Sequence, residues 1–306
     1  EKCKRDVLYF ANLFVFVYEP RPHVKNHNIA FEAWPYQREH LQDLVNHIEA
    51  SRDLFTEKSR DMGATWDALI VLLWCWLFKD GFAALVGSRK EELVDNKTLD
   101  SHFGKFQYML DRMPKQMLPA GFKMSDHRQY MKLINPENGN TIRGESANED
   151  FSRQGRYTTI LYDEFSFWPN SARAWQAGGD ASPSRLILTT PNGKNFSGRL
   201  RFSSKIDVHT LHWSKHPLKT KEWYAKECAR RTPEEVAQEI DISYDKSVMG
   251  KVYPEWDFVQ WGVYPYKQEL PLYCSWDFGR TDSTALIWYQ TDGNKLYVVD
   301  AFEKSG

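Results

Sequence analysis

Cysteine is scarce in this sequence, and the four that are present show no pairing pattern. No Cys-x-x-Cys pair occurs, and two of the cysteines lie in strongly apolar runs. This distribution argues against a disulfide framework and favours reduced thiols in a cytosol-like compartment. The four residues are Cys3, Cys75, Cys228 and Cys274.

Net charge is also nearly absent, with a formal value of −1 at pH 7. A nucleic-acid-binding surface would therefore have to be a local patch rather than a field over the whole molecule. Apolar residues make up 42% and charged residues 26% of the chain, which is ordinary for a globular protein. The length of 306 residues is sufficient for more than one domain.

Long apolar runs are missing as well. The longest, Ala68–Phe78, is shorter than the roughly 20 residues that a bilayer-spanning helix needs. It is better interpreted as a buried helix that ends at Asp80-Gly81. We therefore expect no membrane association.

The stretch Leu54–Phe78 predicts a short strand, a polar loop that closes on Gly63, and a helix that begins near Ala64. Such a loop presents backbone N–H groups and a helix N-terminus to an anion. The phosphate-loop pattern Gly-x-x-x-x-Gly-Lys-Ser/Thr is matched only in part. Gly63 and Thr65 fit the pattern, whereas Ala64 replaces its lysine and Lys58 replaces its first glycine.

Lys58 lies where its ammonium could curl back over the phosphates, with Arg60 as a second cation. A plain strand–turn–helix corner would have the same local features, so the loop alone does not decide between the two interpretations. The candidate nucleotide-binding residues of the loop are Lys58, Ser59, Arg60, Asp61, Met62, Gly63, Ala64 and Thr65.

Two later apolar segments end in polar residues, as strands do at the ligand-binding edge of an α/β sheet. The segment that begins at Thr158 ends in Asp163 and Glu164, which would hold magnesium and polarise the attacking water, respectively. The second segment ends in Thr189 and Thr190, whose hydroxyls could sense the γ-phosphate. A strand end capped by acidic residues is the alternative for the Asp-Glu pair.

Other segments have weaker signals. Gln37 follows an aromatic-proline turn and could read an adenine edge, or be an ordinary helix residue. A single helix is predicted over about Lys90 to Leu110, followed by a hairpin of Tyr130–Ile134 and Asn140–Arg143. The basic, aromatic-containing segment 194–231 fits a DNA-backbone track or the solvated face of a helical subdomain.

Near the end of the chain, residues 246–270 are interpreted as an interdomain linker and 271–306 as three strands joined by tight turns. Asp277 lies on the first of these strands and Asp282 follows it. RNase H-like nucleases begin in this way, with an acid that bridges two metal ions. Because the first residue is Glu1 and two acids are too few for a two-metal site, we expect a piece of a longer protein that does not itself cut DNA.

In their order along the chain, these motifs resemble those of the large terminase subunits, the DNA-packaging motors of tailed bacteriophages and their relatives. The resemblance covers nearly the whole chain. It rests on Trp34-Pro-Tyr-Gln37, Lys58-Ser-Arg60-Asp-Met-Gly63-Ala-Thr65, Ile160-Leu-Tyr-Asp163-Glu164, Leu188-Thr189-Thr190-Pro and Asp277-Phe-Gly279…Asp282.

The resemblance implies an α/β fold: a phosphate-loop (ASCE-type) ATPase with a mainly parallel sheet over 1–245, then the opening strands of an RNase H-like nuclease domain. It assigns adenine contact to Gln37, magnesium to Thr65 and Asp163, and coupling of hydrolysis to movement to Thr189 and Thr190. ATP with Mg²⁺ would be the cofactor of the first domain. Mg²⁺ or Mn²⁺ bound through Asp277 and Asp282 would be that of the nuclease.

The resemblance also implies partners and a location: double-stranded DNA, a portal protein, a small terminase subunit and a homo-oligomeric ring on the portal, in the host cytoplasm. Family members have an Arg-Gly pair just before the acidic motif, which makes Arg153 and Arg156 candidates for a cation supplied to a neighbouring subunit. The alternative is that both arginines pair with nearby acids such as Glu149 and Asp150.

Two other functions remain open. One is an RNase H-like nuclease or recombinase with a degenerate, non-hydrolysing nucleotide fold. The other is a helicase-like DNA translocase without a nuclease. ATP turnover separates the first alternative from the packaging motor, and DNA cutting by the full-length parent protein separates the second.

Overall fold

The computed structural model describes residues 1–21, 25–245, 262–278, 284–293 and 295–304. The chain divides into two compact units, Glu1–Met249 and Gly250–Gly306. The division falls inside the predicted linker, of which residues 246–261 lie outside the described part.

The first unit combines helices with one large sheet. Its helices are α1 Lys2–Arg5, α2 Val7–Phe14, α3 Pro35–Glu49, α4 Ala64–Phe78, α5 Glu91–Val94, α6 His102–Arg112, α7 Met124–His127, α8 Ser171–Ala181, α9 Phe196–Arg201, α10 Lys221–Arg230 and α11 Pro233–Glu239. Its strands are β1 Phe16–Tyr18, β2 Asn28–Ala30, β3 Leu54–Lys58, β4 Ala83–Ser88, β5 Arg128–Gln129, β6 Lys132–Ile134, β7 Thr141–Ser146, β8 Thr159–Asp163, β9 Arg185–Thr189 and β10 Asp207–Leu211.

The large sheet has the strand order β10-β3-β9-β8-β4-β7-β6-β5. Pairing from β10 to β7 is parallel, and β6 and β5 are added antiparallel. β9 lies between the strand that enters the loop and the strand that ends in Asp163. Because neighbouring parallel strands end at the same edge, Lys58, Thr189, Asp163 and Ser88 all lie along one side of the sheet.

Both faces of the sheet are buried, as the continuous apolar strands predict. Leu186 and Leu188 join a core cluster with residues of α3, α4 and α6, whereas the intervening Ile187 joins a second cluster with residues of α8. This alternation is the period of two expected of a strand. The central strands are therefore covered by helices on both sides, which fixes their C-terminal edge.

The buried-helix prediction is confirmed, since most of α4 has almost no exposed surface. The hairpin is also confirmed, with β6 antiparallel to β7. The single helix predicted from Lys90 is wrong: α5 ends at Val94, and α6 begins at His102. Asp95, which interrupts the helix, accepts hydrogen bonds from Arg128 and from the backbone of Met131.

The second unit contains an antiparallel sheet of β11 Leu272–Asp277, β12 Thr284–Thr291 and β13 Leu296–Lys304. The predicted three-stranded meander is therefore present, with Asp277 as the last residue of its first strand. Asp282 lies outside the described residues. Within the described ranges, no helix is both long enough and apolar enough to span a membrane.

Candidate active site

The loop between β3 and α4 has backbone N–H groups that are available to an anion. Gly63 directly precedes α4 with φ of 76°, a left-handed conformation that favours glycine. A Cβ atom at Gly63 would lie 2.8 Å from Nε2 of Gln37, so a larger residue would displace that amide. Within the described part of the chain, the N–H groups from Asp61 to Trp66 have no hydrogen-bond acceptor. This arrangement at a helix N-terminus suits a phosphate group.

The beginning of the loop is held by the chain itself. Ser59 is fully buried, and its hydroxyl donates to the carbonyl oxygen of Ile240 at 2.6 Å. The backbone N–H of Arg60 donates to the carbonyl oxygen of Glu239 at 2.6 Å, and its exposed guanidinium lies 3.5 Å from the Glu239 carboxylate. Of the predicted loop residues, Ser59 therefore anchors the start of the loop to Ile240, and the Arg60 side chain is exposed to solvent.

Thr65 and Asp163, the predicted magnesium residues, are in direct contact. The Thr65 hydroxyl donates to Oδ2 of Asp163 at 3.2 Å, and Nε2 of His102 lies 2.8 Å from the same oxygen. Burial acts to raise the pKa of Asp163, but His102, the positive charge of Lys58 and the Thr65 hydroxyl together hold it below its usual value. The carboxylate is therefore ionised at neutral pH.

His102 was not predicted from the sequence. It is the first residue of α6 and is 2% exposed, and its ring contacts the carboxylate of Asp163. The helix predicted from Lys90 concealed this position, because a continuous helix has no N-terminus there. Ser101, which caps α6 by accepting from the N–H of Gly104, is the signal that could have revealed the helix start.

Glu164 lies just beyond β8 with φ of 56°, an uncommon conformation for a residue with a side chain. Its Oε2 lies 2.7 Å from Nε of Arg89, the residue that follows β4. Arg89 was also missed, although the sequence Gly-Ser-Arg-Lys after a predicted strand placed a cation at the correct edge. The two acids thus have different partners: Asp163 faces the loop, and Glu164 faces the neighbouring strand.

Gln37 lies beside the loop, but both ends of its amide are engaged within the protein. Oε1 accepts from the backbone N–H of Trp34 at 3.1 Å, and Nε2 donates to Oδ1 of Asp67 at 3.0 Å. Asp67 also lies 3.1 Å from Nδ1 of His40, whose Nε2 is 3.2 Å from the hydroxyl of Thr56. In this structure Gln37 therefore connects α3 to the start of α4.

Thr189 and Thr190 are both buried at the end of β9. The Thr189 hydroxyl accepts from the backbone N–H of Ser166 at 3.0 Å and donates to the carbonyl oxygen of Thr190 at 3.0 Å. Ser166 lies in the short helical turn that follows Glu164. The predicted coupling residues are thus connected to the turn beyond the acidic pair.

The structure does not bring Arg153 and Arg156 to this site. Arg153 lies 3.7 Å from Asp150, one of the acids expected as an alternative partner, and Arg156 donates to the carbonyl oxygen of Gly155 at 3.0 Å. Both side chains are exposed. Among the described residues, neither forms a hydrogen bond or ion pair with the loop between β3 and α4, Asp163 or Glu164.

The described part of the chain contains no group of three or more His, Cys, Asp or Glu residues arranged to hold a metal. Thr65 and Asp163 nevertheless offer the oxygen donors that Mg²⁺ prefers. They would hold the ion together with phosphate oxygens and water, as usual for magnesium at nucleotide sites.

Solved structures of bacteriophage large terminases have folds similar to that of this chain. They include the large terminase from the thermophilic bacteriophage D6E in complex with ADP, at 13% identity and a TM-score of 0.54, over 90% of this chain and 69% of that one. The HK97 bacteriophage large terminase matches at 14% identity and a TM-score of 0.56, over 98% of this chain and 67% of that one. The ATPase domain of the Thermus phage P74-26 large terminase matches at 15% identity and a TM-score of 0.52, over 70% of this chain and 94% of that one.

No protein-family model matches the sequence, and no curated protein is significantly similar to it. Because the identities to the solved structures are low, the likeness establishes the fold alone and not the activity. That fold is the α/β fold with a mainly parallel sheet that the sequence predicted.

Proposed function

We propose that this chain binds and hydrolyses ATP as the motor part of a bacteriophage DNA-packaging terminase. The observation that supports ATP binding most strongly is the row of N–H groups from Asp61 to Trp66 without acceptors in the described part of the chain. It lies beside the hydrogen-bonded pair of Thr65 and Asp163. A plain strand–turn–helix corner has no need of an ionised, buried carboxylate at this position.

The residues of the site divide the work of phosphoryl transfer. The loop N–H groups bind phosphate oxygens, and Lys58, whose charge already acts on Asp163, adds a positive charge at the loop. Thr65 and Asp163 hold the magnesium ion, which when bound neutralises charge on the phosphates. Once Glu164 has separated from Arg89, its carboxylate orients the attacking water. The buried Thr189, which is hydrogen-bonded to Ser166, relays a change at this edge of the sheet to the turn after Glu164.

Movement of double-stranded DNA into a procapsid is the proposed use of this hydrolysis. Support comes from the likeness to terminases and from the basic segment 194–231. Part of that segment is structural, because Arg201 forms an ion pair with the buried Glu57 at 2.8 Å. Lys205, Lys221 and Lys226 are exposed and remain available to DNA phosphates. A portal protein, a small terminase subunit and a ring of copies on the portal are the proposed partners.

A metal-dependent endonuclease in the longer parent protein is proposed for the region of β11–β13. The antiparallel meander with Asp277 at the end of its first strand is consistent with the opening of an RNase H-like domain. Mg²⁺ or Mn²⁺ would be held by Asp277, Asp282 and acids from beyond this chain. Cleavage of DNA by the full-length parent, and none by the 306-residue chain, is the expected result.

Steady-state ATP hydrolysis by the 306-residue chain, with Mg²⁺ and with or without double-stranded DNA, tests the proposal. We expect Mg²⁺-dependent turnover that DNA stimulates. ATP binding without turnover under all conditions would favour the alternative of a non-hydrolysing nucleotide fold. DNA-stimulated turnover combined with an inactive full-length nuclease would favour the translocase alternative.

A further inference from the structure

Lys219, a buried lysine from the segment after β10, contacts the phosphate loop. Its Nζ donates to the carbonyl oxygen of Arg60 at 2.5 Å and lies 3.8 Å from Sδ of Met62. The residue is only 8% exposed, and its ammonium lies 4.6 Å from the ring centroid of Trp223. Lysine is among the residues least often buried, and it is normally paired with an acid when it is. Among the described residues, Lys219 forms no ion pair.

The surroundings of Lys219 lower its pKa toward neutral pH. Burial lowers its pKa to about 8, and the positive charges of Arg21 and Lys58 act in the same direction. The negative charges of Asp61 and Glu227 oppose this shift. The group thus retains a proton at neutral pH without a directly paired carboxylate.

His216 is a further titratable group near Lys219. Burial and the positive charge of Lys219 lower the pKa of His216 to about 4, so the imidazole is neutral at pH 7 and above. Of His216 and Lys219, only Lys219 therefore carries a positive charge at neutral pH. It lies beside the loop in which Ala64 occupies the usual lysine position.

We propose that Lys219 provides part of the positive charge that the phosphate loop lacks at position 64, and that it positions the loop for a polyphosphate. This inference rests on the proposed nucleotide function. A neutral donor would be sufficient to hold the carbonyl oxygen of Arg60, and it would avoid the desolvation of an ammonium. An unpaired buried cation is stabilised, however, when an anion binds close to it.

The inference predicts that nucleotide binding changes the protonation of this lysine. A bound diphosphate or triphosphate favours the charged amine and so raises the pKa of Lys219 above about 8. At pH 8 the wild-type chain should therefore take up a fraction of a proton when it binds MgADP. Isothermal titration calorimetry in buffers of different ionisation enthalpy measures this uptake together with the affinity.

Two substitutions of Lys219 separate charge from structure. Lys219→Met should weaken MgADP binding by about tenfold and abolish the proton uptake. Lys219→Arg should retain most of the affinity but also lose the uptake, because a guanidinium stays protonated at pH 8. If Lys219→Met does not fold, as judged by thermal unfolding without ligand, the proton uptake of Lys219→Arg decides alone.

Lys215→Met is the matched control. Lys215 is an exposed lysine of the same segment that also donates to a backbone carbonyl, that of Thr210 at 3.1 Å, but this carbonyl is not part of the loop. Its substitution should change neither affinity nor proton uptake.

Several results would overturn the inference. Unchanged affinity in Lys219→Met, or full proton uptake in Lys219→Arg, would show that the lysine does not respond to the nucleotide. Weaker binding by Lys219→Met without any uptake by the wild type would reduce Lys219 to a structural anchor. Failure of the wild-type chain to bind MgADP would overturn the proposed function itself, and the inference with it.

Discussion

Nε of Arg89 lies 2.7 Å from Oε2 of Glu164, and this pair joins the end of β4 to the residue after β8. The two side chains are 45% and 30% exposed, although Oε2 of Glu164 itself is shielded from water. The guanidinium thus holds the Glu164 carboxylate at the end of β4. Under the proposed function, Glu164 would have to leave Arg89 before it could orient an attacking water molecule.

Arg89→Ala should raise the rate of ATP hydrolysis in the absence of DNA. An exposed ion pair is worth up to about 1 kcal/mol, so the increase should be at most about fivefold. Lys90→Ala is the control, since Lys90 is an exposed neighbouring cation that lies 3.5 Å from Glu92 instead. Lower basal turnover in Arg89→Ala would show that the arginine supports Glu164 rather than restraining it.

Lys58→Ala should reduce ATP turnover by at least ~100-fold, the scale of losing one group that stabilises the transition state. The physical reason is that Lys58 lies at the mouth of a loop with Ala64 in the usual lysine position, and that its charge already acts on Asp163. The measurement is steady-state hydrolysis at saturating MgATP. Near-wild-type turnover would transfer the role to Arg60, for which Arg60→Ala is the companion variant.

Glu164→Gln should bind ATP but hydrolyse it at least ~100-fold more slowly, because the amide retains the shape of the side chain and loses the basic carboxylate. Asp163→Asn should mainly weaken binding in the presence of Mg²⁺, because it removes the charge that His102, Lys58 and Thr65 keep ionised. Nucleotide affinity and single-turnover rates distinguish the two effects. The opposite pattern, with binding lost only in Glu164→Gln, would reverse the assignments.

Much of this site was predictable because each part follows a local rule. A polar loop between an apolar strand and an apolar helix predicted the unit of β3, loop and α4, and an apolar strand ending in Asp163 and Glu164 predicted the acidic edge of the sheet. The parallel sheet then brings these strand ends together, as the sequence pattern implied. The fold was predicted correctly for the same reason.

The partners of these residues were not predictable, since they depend on contacts between distant segments. His102 contacts Asp163 from the start of α6, which follows a break in the predicted helix where Asp95 binds Arg128. Lys219 reaches the loop from a segment whose composition fitted either a DNA-backbone track or the solvated face of a helical subdomain. Sequence spacing carries no signal for such contacts when the residues come from different elements.

Asp67 is expected to be a main determinant of stability next to the loop. It is completely buried, accepts a hydrogen bond from Gln37 and lies 3.1 Å from His40. Asp67→Ala leaves both partners unsatisfied and should lower the free energy of unfolding by about 3 kcal/mol. Urea denaturation at pH 7 measures the change.

Asp67→Asn is the matched variant. Burial raises the pKa of Asp67 well above its usual value and so favours the neutral form, which asparagine resembles in shape and charge. The loss should therefore be no more than about 1 kcal/mol. Equal destabilisation by both substitutions would show that Asp67 is ionised and that its charge holds Gln37 and His40.

Arg153 and Arg156 are exposed, and they contact Asp150 and Gly155 rather than residues of the candidate site. This is expected for a cation that acts on a neighbouring subunit. Phosphoryl transfer builds negative charge on the γ-phosphate, which such an arginine can stabilise. The pairing of Arg153 with Asp150 at 3.7 Å is weak and open to solvent, so little free energy opposes its release. Turnover per subunit should then rise with protein concentration as rings form on the portal or DNA.

Mixing two inactive variants tests this arrangement directly. An Arg153→Ala subunit keeps its own Asp163, and an Asp163→Asn subunit keeps its own Arg153, so a mixed ring contains some complete sites at the subunit boundaries. Each variant alone should hydrolyse ATP at least ~100-fold more slowly than the wild type, and the mixture should recover part of the activity. The same experiment with Arg156→Ala identifies which arginine is the donor. If neither mixture regains activity in rings shown to contain both subunits, the arginines act only within their own loop, paired with acids such as Asp150.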